Sequence, residues 1–293
     1  MGQEVFEGKV AVVTGGASGI GAALGREMGR RGAEVVVADR QVELAEEVAA
    51  RIRGDGGRAT AVELDVRSLE SITAVVEATV ARSGRIDLLF NNAGIGVAGE
   101  MDNYEPSDWD DVIDVNLRGV AYGVQVVYPR MVRQGSGHIV NTASVAGLVG
   151  AVGEGSYTAT KHAVVGLSKS LRTEGRRHGV RVSVLCPGAI RTPIFTGGKY
   201  GRMNYVGLRE EKMLELWSRL RPMEPDAFAE KALDAVARNE AIIVVPGWWR
   251  AFWYLDRISP AMSDRLWGAM LTYMRNEITA SGARPISPAE RKT

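Results

Sequence analysis

K-V-A-V-V-T-G-G-A-S-G-I-G-A-A-L, running from Lys9 to Leu24, decides the reading of this chain. Val10 to Val13 form a short, β-branched apolar run of the kind that makes a buried parallel strand. A turn containing Gly15, Gly19 and Gly21 follows, and Ile20, Ala23, Leu24 and Met28 then recur at helical spacing. Strand, glycine turn and helix start together make a pyrophosphate cradle. The glycines let the backbone approach the phosphates, while free N–H groups and the helix dipole favour negative charge. Gly15, Ser18, Gly19, Ile20 and Gly21 are therefore candidate cofactor contacts. An ordinary tight strand-to-helix turn is the bland alternative, since the chain has 35 glycines.

The glycines are spelled T-G-x-x-x-G-x-G, and this spelling resembles the short-chain dehydrogenase/reductase family. The resemblance implies a doubly wound α/β fold of about seven parallel strands flanked by helices. It also implies a nicotinamide dinucleotide cofactor and hydride transfer between that cofactor and a secondary alcohol or ketone. The rest of the sequence is consistent with it. Glu34 to Asp39 reads as a second strand, and Asp39 lies 18 residues beyond Gly21. An acid at about that distance accepts hydrogen bonds from the adenosine ribose and repels a 2′-phosphate, which argues for NAD over NADP. Arg40 is the counter-evidence, since a base just past the strand can hold that phosphate. Asp39 is also a candidate N-cap.

A second helix carries the stripe Ala45, Val48, Ala49 and Ile52 and ends at Gly54 to Gly57. Arg58 to Asp65 is the third strand, and the resemblance makes Asp65 and Val66 adenine contacts. Ser68, or alternatively Ser71, caps a helix bearing Ile72, Val75, Val76, Thr79 and Val80. Ile86 to Phe90 is the fourth strand and runs into N-N-A-G, Asn91 to Gly94, a second family spelling. It makes Asn92, Ala93 and Gly94 candidate cofactor neighbours, with Asn92 more a tie between strand ends than a reactive group. Trp109 to Met131 reads as one long helix with Asn116 inside its apolar stripe. A buried amide must be satisfied. It is either a core asparagine bonded to backbone or, by the resemblance, the family's catalytic asparagine holding a water in a proton relay.

His138 to Thr142 is the fifth strand and ends at Ser144. Tyr157 follows 13 residues later and Lys161 four after that, which places both on one helix face. Arg181 to Cys186 is the sixth strand, followed by P-G-A-I-R-T, in which Pro187, Gly188, Ile190 and Thr192 flank the nicotinamide by the resemblance. Ile242 to Val245 is the seventh. The set Asn116, Ser144, Tyr157 and Lys161 then supplies the chemistry. A free tyrosine, with a pKa of about 10, is a poor base near neutrality. A neighbouring Lys161 ammonium and the positive nicotinamide would lower it by about 2–3 units, at roughly 3–4 kcal/mol of differential interaction. Ser144 positions the substrate oxygen, and Lys161 also holds the nicotinamide ribose.

A formal net charge of +1 with interspersed acids and bases gives no case for nucleic-acid binding. The single cysteine, Cys186, forms no intramolecular disulfide and fits a reducing cytoplasm. His138, His162 and His178 lack metal-ligand spacing and are expected at the surface or in turns. No apolar run has the length of a membrane span. One domain is expected, with a core over 8–246 and a helical extension over 247–293. That extension holds Trp248, Trp249, Trp253 and Trp267 and a helix capped at Ser259-Pro260 whose stripe is Met262, Leu266, Met270 and Met274. Three readings of it stay open: packing on the body or on a second subunit, roofing an apolar substrate pocket, or lying at a membrane surface. The pocket roof would be shared with Phe195, Tyr200, Met203, Tyr205, Met213 and Trp217. A lipophilic substrate and a homodimer or homotetramer are the corresponding expectations. A sugar epimerase or dehydratase of the related longer-chain group, and a catalytically silent dinucleotide-binding regulator, remain as rivals.

Overall fold

The computed structural model describes residues 5–196 and 200–286, with the side chains of Phe195 and Thr196 outside the described set. The first half alternates strand and helix: β1 (Val10–Thr14), α1 (Gly19–Arg30), β2 (Glu34–Asp39), α2 (Val42–Gly54), β3 (Arg58–Glu63), α3 (Leu69–Ser83) and β4 (Leu88–Asn91). The short β5 (Gly96–Ala98) follows. A continuous helical run comes next, made of α4 (Pro106–Val112), a π turn (Ile113–Arg118) and α5 (Gly119–Gln134). Then come β6 (Gly137–Thr142), α6 (Gly155–Gly175), β7 (Val180–Pro187), β8 (Gly201–Met203), β9 (Tyr205–Val206), α7 (Glu210–Ser218), α8 (Pro225–Ala237) and β10 (Ile242–Val245). The C-terminal part adds α9 (Arg250–Ile258), α10 (Pro260–Ala280) and β11 (Arg284–Pro285).

Seven strands form one parallel sheet in the order β10-β7-β6-β4-β1-β2-β3. Successive side chains of each strand point to opposite faces. Val13, Val35 and Phe90 pack with α1, α2 and α8 through Leu24, Ile52 and Leu233. Val12, Val36 and Leu89 pack with α3 and α5 through Ile72, Val76 and Val127. Both faces are covered, which is why the strands read as unbroken apolar runs. The strand order reverses between β1 and β4, so their carboxyl ends open the crevice in which ligands of such sheets bind.

Several expectations need correction. The helix read as Trp109 to Met131 extends from Pro106 to Gln134 and carries the π turn, which its unbroken apolar stripe did not announce. The third strand stops at Glu63, and the fourth begins at Leu88 and ends at Asn91. Gln41, not Asp39, occupies the N-cap of α2, while Asp39 accepts the Gln41 N–H at 3.0 Å. Of the α10 stripe, Met262 and Leu266 are exposed, because Ser263 turns inward to bond Asp256 and Ile278 seats the far end. His138 is not at the surface. It lies in β6, 7% exposed, with Nε2 2.9 Å from Ser183 Oγ. That hydroxyl donates to Glu240 O at 2.6 Å, so His138 Nε2 must carry the donated proton.

Burial pushes the His138 imidazole down from 6.5 to about 3. The unfolded chain therefore binds a proton that the folded chain refuses between these values, and stability falls as pH falls through that window. The slope is about 1.4 kcal/mol per pH unit. Urea unfolding between pH 6.5 and 4.5 should show this slope in the native chain and a shallower one in His138→Gln. Equal slopes would remove His138 as the cause.

Candidate active site

The crevice is built first from glycine. A Cβ on Gly15 would lie 2.7 Å from Ala93 Cα, and one on Gly21 would lie 2.1 Å from Gly15 O and 2.6 Å from Asn92 Nδ2. The β1 turn, the start of α1 and the end of β4 are thus packed backbone to backbone. The first turn of α1 holds no acidic side chain, and Ser18 makes no side-chain cap bond. Its N–H groups and dipole therefore face the crevice uncompensated, which fits the pyrophosphate of a dinucleotide. Asp39 accepts the Ala17 N–H at 3.1 Å, which fixes its carboxylate at the edge of this turn. Arg40 beside it is exposed. Asp65 is gripped by Arg67 through both carboxylate oxygens, at 3.0 and 2.6 Å, and its carboxyl is held below the usual range by that bond. Val66 is buried and packs where a Gly119 Cβ would fall, 2.9 Å away.

Asn92 ties the strand ends: Nδ2 donates to Thr14 O at 3.2 Å and to Gly15 O at 3.3 Å, and Oδ1 accepts the Thr142 hydroxyl at 3.3 Å. Gly94 sits at the centre. A Cβ there would approach Asn116 Oδ1 at 3.3 Å and Lys161 Nζ at 3.4 Å. Asn116, fully buried in the π turn, clamps Ile95 with both amide atoms, accepting its N–H and donating to its carbonyl at 2.9 Å each. These bonds satisfy the buried amide. π turns re-aim side chains where a regular helix would not put them.

The Ser144 hydroxyl, which accepts the Ala146 N–H at 3.1 Å, lies close enough to the Tyr157 phenol to act on its ionisation. The Lys161 ammonium lies 5.4 Å from the Tyr157 ring centroid and donates to Thr142 O at 2.9 Å. Burial raises Tyr157 above its ordinary value, and the nearby Glu154 carboxyl adds to the rise. Burial lowers Lys161 to about 8. The expected lowering of Tyr157 is therefore not supplied by the protein groups alone: desolvation of the phenol and the Glu154 carboxyl raise it, and only Ser144 opposes them. Ser144, Tyr157, Lys161, Asn116 and Gly94 form one cluster.

The P-G turn closes the site. Pro187 and Ile190 are buried, Thr192 lies against Gly19 at 3.1 Å from a notional Cβ, and Ile194 lies against Gly96 at 3.5 Å. Beyond it, β8 pairs with β5, and β9 pairs with β11 near the chain's end. The distal half of α10 lies over this segment through Lys212–Glu277 at 2.7 Å, Arg275–Glu100 and Arg219–Tyr273. Met213 is buried, and Tyr200, Met203, Tyr205 and Trp217 are half-buried. The Phe195 side chain lies outside the described residues. Tyr254, Ile258, Met262 and Leu266 remain exposed at the α9–α10 corner, and no described helix is long and apolar enough to cross a membrane.

Two groups escaped the sequence reading. Trp249 packs on the P-G turn, where a Gly188 Cβ would meet its ring at 2.1 Å, and its only sequence signal was aromatic density after β10. Glu154, three residues before Tyr157, lies within electrostatic reach of the Tyr157 hydroxyl. The i, i+3 spacing was its signal.

A family model described as short chain dehydrogenase matches residues 9–199. The cyclohexanol dehydrogenase of Acinetobacter sp. (strain SE19) is 40% identical over 190 residues, covering 64% of this chain and 76% of that protein. The structure of a short chain dehydrogenase/reductase from Burkholderia phymatum in complex with NAD matches at 32% identity, with a TM-score of 0.79, over 88% of this chain and 95% of that one. A metagenomic short-chain oxidoreductase in complex with NADP matches at 33% identity, with a TM-score of 0.66, over 82% and 96%.

Proposed function

The chain belongs to the short-chain dehydrogenase/reductase family of oxidoreductases, and from that premise we propose that it interconverts a secondary alcohol and its ketone with Tyr157 as general acid/base. The observation that carries this reading is the buried Lys161 ammonium, held by Thr142 O and 5.4 Å from the Tyr157 ring centroid, with Ser144 beside the same phenol. A bound nicotinamide would supply hydride transfer to and from the carbinol carbon. The protein moves the proton. In the oxidising direction the Tyr157 oxygen takes the alcohol proton while Ser144 donates a hydrogen bond to the same substrate oxygen. In the reducing direction Tyr157 gives the proton back to the carbonyl oxygen. Lys161 supports the tyrosinate and holds the nicotinamide ribose. Asn116 positions Ile95 and Gly94 against the lysine. Gly15, Ser18, Gly19, Ile20 and Gly21 take the pyrophosphate, with Asp65 and Val66 at the adenine and Pro187, Gly188, Ile190 and Thr192 at the nicotinamide.

A raised Tyr157 is a ready acid and a reluctant base at neutrality. Alcohol oxidation is therefore expected to climb with pH, by about tenfold per unit on its acid limb, while ketone reduction falls as the same group ionises. A flat oxidation profile between pH 6 and 10 would remove Tyr157 as the titrating base.

NAD is the proposed cofactor, since the Asp39 carboxylate, fixed by two backbone N–H groups, would repel a 2′-phosphate. Asp39→Ser should shift the NAD/NADP preference by about tenfold or more toward NADP. An unchanged ratio would place the choice with Arg40. The half-buried aromatic and methionine side chains of the covering segment support a lipophilic alcohol as substrate. NADH formation from NAD⁺ over alcohols from short aliphatics to cyclic and long-chain compounds, with NADP⁺ in parallel, tests the whole reading. Cofactor binding without turnover on any of them would sink it.

A further inference from the structure

α9 and α10 form a helical hairpin that turns at Ser259. Asp256 accepts the Ser263 hydroxyl at 2.8 Å, and the Phe252 and Trp267 rings lie 6.4 Å apart. Each step back along α9 thus meets a step forward along α10, so the two run side by side and antiparallel. Phe252, Trp253 and Trp267 pack on the body around the buried Trp249, which seats the hairpin. Its tip is bare. Ile258, Pro260, Ala261 and Met262 are all exposed there, Ile258 at 83% and Met262 at 55%. Tyr254 and Leu266, one helical turn behind on either side, are exposed as well. Arg257 and Arg265 flank this apolar run, and among the described residues neither has an ion pair. The acids stand apart. Asp256 is turned inward onto Ser263, and Asp264 lies about 160° around α10 from both Met262 and Leu266.

Large apolar side chains left together in water mark an interaction site. A second copy of the chain is a poor occupant, because a two-fold contact would set the same unpaired arginines against each other. An anionic bilayer supplies what the tip lacks: phosphates for the guanidinium groups and hydrocarbon for the apolar ends. We infer that the α9–α10 tip docks on an anionic lipid surface. Ile258 and Met262 enter the boundary between headgroups and acyl chains, Tyr254 and Leu266 follow at its edge, and Arg257 and Arg265 meet the headgroups. No described helix is long and apolar enough to cross a bilayer, so the contact is peripheral. Docking needs no rearrangement, since all six side chains are already exposed in the folded chain.

Flotation of the full-length chain with vesicles reads this without turnover. One set of vesicles is phosphatidylcholine alone, and the other contains about one part in four of phosphatidylglycerol. The chain should float with the mixed vesicles at low salt and be released at high salt, where exposed charges are screened. It should bind phosphatidylcholine alone about tenfold or more weakly, since each cation near an anionic surface is worth roughly fivefold in partition. Ile258→Asp combined with Met262→Asp should abolish flotation. Arg257→Glu combined with Arg265→Glu should weaken it by about tenfold or more. The melting temperature of each variant reports whether the fold is intact, and the arginine pair carries the comparison if the aspartate pair fails to fold. Flotation with neither vesicle, equal flotation with both, or flotation undiminished in a folded paired variant overturns the inference. So does a fall in subunit number, read by light scattering, in the Ile258/Met262 variant, which would make the tip a contact between copies.

Discussion

Tyr157→Phe is expected to lower turnover by about 10²–10⁴-fold in both directions while leaving dinucleotide affinity within a few-fold of native. The substitution removes one hydroxyl from a ring that stays packed in α6, so little else should change. The Ser144 hydroxyl keeps the Ala146 N–H that it accepts, and the Lys161 ammonium keeps its bond to Thr142 O. The split between chemistry and binding is the informative part. Stopped-flow NADH binding and steady-state oxidation on one preparation would measure both. Full turnover in the variant would end the assignment. A parallel loss of cofactor affinity would instead show that the hydroxyl serves the ribose.

Gly21→Ala is expected to abolish useful dinucleotide binding, by about 100-fold or more. The added methyl would fall 2.1 Å from Gly15 O and 2.6 Å from Asn92 Nδ2. The first of these is backbone and cannot swing aside, so the turn itself must move. Moving it displaces the N–H groups at the start of α1 and breaks the Asn92 tie to β1. Overpacking of this kind costs about 1–3 kcal/mol of stability, so the melting temperature should fall as well. Gly54→Ala is the matched control, because a Cβ there meets nothing within 4 Å at the end of α2. It should be neutral or stabilising by up to about 1 kcal/mol, with unchanged cofactor affinity. Equal NADH affinity in the two variants would refute the role given to the turn.

The local parts of this protein were readable in sequence, and the non-local parts were not. The β1 turn, the Tyr157–Lys161 spacing and the Ser68 cap are each written within a few consecutive residues, and the last is seen as Ser68 Oγ accepting the Ser71 N–H at 3.0 Å. The ribbons β5–β8 and β9–β11 have two or three residues per strand and no periodicity to detect, and pairing alone defines them. His138 was misplaced because polarity was read as exposure, whereas Ser183 and Glu240 make a central strand hospitable to an imidazole. A charge in sequence carries no mark of whether water will reach it.

The π turn at Ile113–Arg118 has the geometry of one residue too many in an otherwise regular rod. Shortening the rod by a single residue there would restore ordinary winding and should make the helix itself sturdier. The same deletion would swing Asn116 about a quarter-turn away from Ile95, since each helical residue advances by roughly 100°. Thermal tolerance and catalytic competence would then pull in opposite directions at one position. A search for stabilising edits in this chain should therefore leave the segment untouched.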